Sequence, residues 1–274
     1  MKYLDRSKVE EPKVLEEKGK ELSDANKEAF LKNPQDYIAH VKAPQSRHGK
    51  NTFDIKPEVY GCQEVKEALD RIQNGMCCYC ECYYETSGKG EVEHFRPKMG
   101  YQQDKDDLFH RPGYFWLGYE WNNLMYSCKN CNEDYKKNYF PLKDNTKRAN
   151  PEKSFSINDE TPLLVNPYEE TEPEKHFGFD GGIEFGITEE GKKSVEYYGL
   201  DREALNEDRA EFLDKFVCLE EIYQSHKGQK DEEEKLNKLK TKLAQALNRG
   251  KYTLMLRCHF KVSVSVYTHC VIAQ

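Results

Sequence analysis

Cys77 and Cys80, then Glu93-His94, then Asn123, then Cys128, Cys131 and Asn132 follow one another through the middle of the chain. A Cys-x-x-Cys turn presents two thiolates to one metal ion without strain, and two such turns fill the four tetrahedral corners that zinc takes. The 47 residues between Cys80 and Cys128 exceed the gap of about 15–20 residues in a zinc ribbon. A folded insert must therefore lie between the two turns, and it carries Glu93-His94. Cys78 and Cys82 are rivals in register, and the choice of Cys77 with Cys80 rests on matching the spacing of the second pair. Cys62, Cys218, Cys258 and Cys270 have no spaced partner and read as ordinary buried thiols.

The elements that position these residues can be traced from the pattern. Val65, Leu69 and Ile72 recur at helical spacing and deliver the chain to Cys77, with Gly75 ending the helix. Val92 and Phe95 read as strand, stopped by Pro97, so that His94 sits at a strand end. Residues 101–111 read as a charged, substrate-facing loop in which His110 is an ordinary loop histidine, with a metal neighbour the alternative, and residues 177–183 as a short hairpin with a tight glycine turn. Leu205, Phe212, Leu213, Phe216 and Ile222 form one helical stripe, and Leu236, Leu239, Leu243 and Leu247 another, while Val262, Val264 and Val266 alternate like a strand. The predicted organisation is a charged, helical, partner-facing region over 1–60, a zinc-stapled core over 61–145, a wrapping loop and hairpin region over 146–200, and a helical region with a strand-like tail over 201–274.

Composition bounds the function. The chain has 274 residues, 37% hydrophobic content and a net charge of -7. Such a balance argues against a protein that coats nucleic acid through bulk electrostatics, so any nucleic-acid contact must be local or shared with a partner. No run of about 18 apolar residues exists, and the opening Met1-Lys2-Tyr3-Leu4-Asp5 lacks the apolar run of a signal peptide. A cytoplasmic location with reduced thiols is expected, and no membrane.

Glu93-His94, then Trp121-Asn122-Asn123-Leu124, then Ser127-Cys128-x-x-Cys131-Asn132-x-x-x-Lys136 resembles the HNH, or ββα-metal, endonuclease motif in its zinc-stapled form. With Cys80-Glu81, Phe95-Arg96-Pro97-Lys98, Phe140-Pro141-Leu142, Leu164-Val165-Asn166-Pro167-Tyr168 and Gly199-Leu200-Asp201-Arg202, the likeness extends over roughly residues 60–215. It is similar there to the HNH nuclease subunit of Septu-type anti-phage systems, also found beside some retrons. The resemblance implies an α+β fold, a ββα-metal core stapled by a four-cysteine structural zinc site and flanked by helical terminal regions. It implies His94 as general base, a role that suits an imidazole of ordinary pKa near 6.5. It implies Glu93 and Asn132 as ligands of one catalytic Mg²⁺, with Mn²⁺ an alternative, and Asn123 as the brace that orients His94. Lys136 and Lys137, one turn beyond Asn132, are the expected phosphate contacts, with Arg96 and Lys98 weaker candidates of the same kind. Glu93 stands where many HNH enzymes have Asp, and the interval from His94 to Asn123 is long for a compact motif.

The implied reaction is hydrolysis of nucleic-acid phosphodiester bonds, with DNA favoured over RNA, inside a defence complex with an ABC-type ATPase. The rival readings are an effector that cuts RNA or tRNA, and a non-catalytic zinc module binding nucleic acid or protein through aromatics around Trp116 and Trp121. Thiol redox chemistry accounts for one Cys-x-x-Cys turn but not for the second pair or the acid-histidine dipeptide.

Overall fold

The computed structural model describes residues 1–42, 53–84, 90–226 and 233–260. The valine alternation at 262–266 lies outside them. A π-helical turn (Leu15–Gly19) runs into α1 (Lys20–Lys32), followed by β1 (Ala39–Val41), α2 (Pro57–Tyr60), α3 (Gln63–Gln73), β2 (Glu91–His94), β3 (Phe109–Arg111) and β4 (Leu124–Ser127). A second π-helical segment (Asn130–Lys136) precedes β5 (Phe177–Asp180), β6 (Ile183–Gly186), α4 (Glu189–Tyr198), α5 (Glu203–His226), α6 (Glu233–Arg249) and α7 (Thr253–Phe260). Helices and three two-stranded antiparallel sheets, β1-β3, β2-β4 and β5-β6, make the described residues α+β.

Several elements form for the reasons their sequence suggests. Val65, Leu69 and Ile72 of α3 are buried, and the helix ends where Asn74 (φ 54°) and Gly75 (φ 74°) turn left-handed. The β5-β6 hairpin turns through Gly181 at φ 56°. On α5, Leu205, Leu213 and Phe216 are buried, but Ile222 is 45% exposed because nothing described covers the far end of this long helix. On α6, Leu243 and Leu247 face the core.

Other features depend on distant partners. The supposed loop at 101–111 closes on itself, with reciprocal backbone bonds between Tyr101 and His110 of 3.0 and 2.9 Å. Its end is β3, which pairs with β1 some 70 residues earlier (His40↔His110). The region expected to wrap as loop and hairpin also holds α4, capped by the Thr188 side chain at its start and by Gly199 in the left-handed region at its end.

The first residues of the 1–60 region reach into the core. Met1 and Leu4 are buried, and the Arg6 guanidinium donates to the Trp121 and Leu124 carbonyls while lying over the Trp121 and Tyr168 rings. Beneath them lies a buried ionic group. The Met1 ammonium is 3.1 Å from Glu81 and 3.5 Å from Glu184, and Glu184 also pairs with Arg209. Breaking a desolvated pair strands the remaining charge, which costs about 3–5 kcal/mol, whereas removing both partners costs less. Arg209→Met is therefore expected to lower the unfolding free energy measured by urea titration by an amount in that range, and Glu184→Gln added to it to restore part of the loss. A double variant no more stable than the single one would contradict this account.

Candidate active site and metal centre

The cysteine turns are built onto β4. Gln73, wholly buried at the end of α3, accepts from Tyr126 N at 2.9 Å and donates to Tyr126 O at 2.6 Å, standing in for a strand partner. Cys78 N also donates to Tyr126 O, and Cys77 N to Cys82 O, folding residues 77–82 into a tight knuckle. The chain leaves β4 through Ser127 into the second Cys turn and the helical segment Asn130–Lys136.

Cys77, Cys80, Cys128 and Cys131 converge, all buried, with their Sγ atoms within 4.8 Å of one another. The Cys80–Cys128 separation of 3.8 Å equals the edge of a tetrahedron with Zn–S bonds of about 2.3 Å, which is roughly 3.8 Å. This donor set can hold a metal such as zinc. Cys82 Sγ lies 3.0 Å from Cys80 Sγ, and Cys78 is buried beside the knuckle, but neither belongs to the converging quartet. Hydrogen bonds from Cys131 and Cys77 hold the Cys128 thiol down at about 4, whereas burial pushes Cys77 and Cys131 up. Only part of the cluster ionises by itself, and a bound cation would bring all four to thiolates.

Glu93 and His94 end β2, where Glu93 pairs with Met125 and His94 with Leu124 of β4. The hydrogen bonding beyond the strand end is supplied by Asn123. Its carbonyl accepts from Phe95 N at 3.0 Å and its Oδ1 from Arg96 N at 2.8 Å. Its Nδ2 donates to the Arg96 and Leu117 carbonyls, each at 3.1 Å. Asn123 thus holds both the segment after His94 and the turn that ends in Gly118.

The Gly118 carbonyl is 2.9 Å from His94 Nε2, and the Lys98 ammonium is 3.1 Å from His94 Nδ1. A carbonyl can only accept and an ammonium can only donate, so the ring is neutral, with its proton on Nε2 and its lone pair on Nδ1. Burial, then the Lys98 and Lys136 charges, hold the His94 pKa well below its ordinary value, against the raising effect of the Gly118 bond. The ring is only 3% exposed, packed edge-on against Tyr60 at 4.7 Å, yet it lines a cavity of about 800 Å³.

The carboxylates of β2 face the helical segment. Lys136 is fully buried, 2.5 Å from Glu93 Oε1 and 2.9 Å from the His94 carbonyl, and so points inward rather than toward a substrate. The cause is helical register. Asn132 and Lys136 lie one turn apart on the same face, which packs along β2, and the Asn132 carboxamide donates to Glu91 at 2.9 Å. Arg96 is likewise engaged, 2.9 Å from the buried Glu160. Lys137 is exposed and lines the cavity with Lys66, Lys98 and Arg111. Gln73, Glu91, Arg111 and Lys66 carry no motif spacing that would single them out in the sequence.

The chain matches no family model and no solved structure. It is similar to the Septu protein PtuB of Bacillus mycoides (strain KBAB4), with 40% identity over 156 residues that cover 56% of this chain and 52% of that one. It is also similar to the Septu protein PtuA of the same organism, with 29% identity over 153 residues, 56% of this chain and 21% of the relative. A Septu protein PtuB of Bacillus thuringiensis is 39% identical over 75 residues, 27% of this chain and 24% of the relative. The chain is a relative of the Septu proteins. It spans about half the length of the first of these and under a quarter of the other two. Among the described residues, no helix is long and apolar enough to cross a membrane.

Two outcomes follow from this geometry. Elemental analysis is expected to find one zinc per chain, lost in Cys131→Ser and kept in Cys78→Ser and Cys82→Ser. Zinc lost only in Cys82→Ser would place the ligands differently. Because a depressed pKa keeps the base neutral to lower pH, ¹⁵N NMR of the metal-free cavity should show the His94 ring as the Nε2–H tautomer through pH 6.5 and below, whereas ring titration near 6.5 would refute the arrangement.

Proposed function

We propose that this chain is a metal-dependent endonuclease of the HNH, or ββα-metal, type, hydrolysing nucleic-acid phosphodiester bonds with DNA the favoured substrate. The observation that carries the reading is the His94 ring: a neutral imidazole, oriented through Nε2–H on Gly118, with its Nδ1 lone pair at the wall of a cavity lined by Lys66, Lys98, Arg111 and Lys137. A water on the Nδ1 side would lose its proton to that lone pair as it attacks phosphorus. Lys98 must first yield its place on Nδ1, and a phosphate oxygen offers its ammonium a stronger, charge-assisted acceptor.

Glu93 and Asn132, hard oxygen donors, are the residues that would hold Mg²⁺ or Mn²⁺, which when bound would offset the charge developing on the phosphate. The helical segment after β4 carries Asn132 along β2, giving the strand-strand-helix order that the HNH reading requires. Phosphate contacts fall to Lys66, Lys98, Arg111 and Lys137, since Arg96 and Lys136 are bound within the fold. The relation to the Septu proteins supports a role as nuclease effector of a cytoplasmic anti-phage complex with an ABC-type ATPase, which would also supply the positive surface that a net charge of -7 lacks. A non-catalytic module using Trp116 and Trp121 is disfavoured, because both indoles are buried.

General-base removal typically costs about 10²–10⁴ in rate. Cleavage of plasmid DNA in Mg²⁺, assayed beside total RNA and with and without the ATPase, should fall by that factor in His94→Ala while zinc content and circular dichroism stay unchanged. Undiminished cleavage by this variant would overturn the proposal.

A further inference from the structure

The Gly199-Leu200-Asp201-Arg202 sequence has no part in the cavity, yet it ends beside the metal centre. Arg202 Nη1 is 3.5 Å from Cys131 Sγ, and the same nitrogen donates to the Gly199 carbonyl at 2.6 Å. The guanidinium also faces the Tyr135 ring, 5.9 Å from its centroid. Gly199 is required twice over: it sits at φ 61°, and a Cβ there would lie 2.3 Å from Tyr135 Cδ1. Leu200 is buried, and its carbonyl accepts from Arg209 at 2.5 Å. The turn between α4 and α5 is thus fixed on both sides, and it aims one guanidinium at a cysteine sulfur.

Four thiolates around a divalent ion carry a formal charge of about -2. Placing that charge in a buried site is costly unless cations or donors face it. A guanidinium keeps its charge in proteins, and its Nη1 stands 3.5 Å from Cys131 Sγ, close enough for cation and metal-bound thiolate to stabilise each other. We infer that Arg202 is the electrostatic partner of the metal-loaded cysteine cluster, offsetting part of its negative charge and so setting its affinity for zinc; this rests on the zinc reading of the quartet. Because Cys131 adjoins Asn132, the same contact fixes the start of the helical segment that lies along β2. Arg202 is a positioning residue that touches neither substrate nor reacting atoms.

The test uses the full chain and measures zinc affinity by chelator competition, with cobalt(II) substitution as a spectroscopic readout. Outer-sphere partners of metal ligands are typically worth about 10–100-fold in affinity. Arg202→Met, which keeps the bulk of the side chain and loses the charge, should weaken zinc by a factor in that range, and Arg202→Lys should recover most of it. Without the cation the sulfur lone pairs rise in energy, so the sulfur-to-cobalt charge-transfer bands should move to lower energy in Arg202→Met and return in Arg202→Lys. Should Arg202→Met fail to fold, Arg202→Gln, which keeps a donor for Gly199, takes its place. Unchanged zinc affinity and unchanged bands in the charge-free variant, or equal losses in the lysine variant, would overturn the inference. Wild-type protein that takes up neither zinc nor cobalt would instead remove the metal reading itself.

Discussion

Four sulfur atoms within 4.8 Å in a buried site constitute the constraint on which the centre of this protein depends. Their ligand capacity belongs to two segments that are far apart in the chain, and each segment is short. The first is a knuckle held to β4 through Cys78 N and Gln73, and the second is a turn that leaves β4 directly. A two-stranded sheet has too little buried surface to be stable alone. Here the sheet is packed into the hydrophobic core with Leu124 and Met125 buried, and an ion joining both turns would add its binding free energy to folding.

What the cluster fixes, Asn123 extends to the histidine. Its side chain continues the strand pairing past His94 and also holds Leu117, so the carbonyl of the next residue, Gly118, meets Nε2 at 2.9 Å. The ring needs no contact from Asn123 itself. Tautomer and orientation are set by a backbone carbonyl, which cannot change protonation, and the Nδ1 lone pair is directed to the cavity by default. A general base on the HNH reading requires this kind of preorganisation, since a ring free to rotate would present the wrong nitrogen for part of the time.

How much of this was legible in the sequence differs by the range of the interaction concerned. The Cys quartet and the strand end at Glu93-His94 showed because ligand spacing and proline position are local. The α3 stripe, the β5-β6 hairpin and the inner face of α5 showed through their periodicity. Lys136 and Arg96, candidates for phosphate contact in the sequence, are bound to Glu93 and Glu160 in the fold, because a motif gives spacing but not the face a helix turns to its neighbour, and because Glu160 lies 64 residues from Arg96. The β1-β3 pairing and the inward position of the first residues depend on partners at similar or greater distance. Gln73 was invisible for a different reason: an isolated glutamine at a helix end carries no pattern, and its value comes entirely from the strand it completes.

The buried Lys136–Glu93 pair has a consequence for the second metal. An ammonium 2.5 Å from the carboxylate already balances one negative charge at the place where the HNH reading puts Mg²⁺, and the Asn132 carboxamide is neutral. On the HNH reading the site without substrate would therefore attract a divalent ion weakly, since Mg²⁺ gives up its water reluctantly. A phosphate entering the cavity brings the missing negative charge along with oxygen ligands of its own. On that reading cation and substrate would bind cooperatively, and the soft sulfur site and hard oxygen site would differ in the metals they favour, thiolates suiting zinc and carboxylate and carboxamide oxygens suiting Mg²⁺.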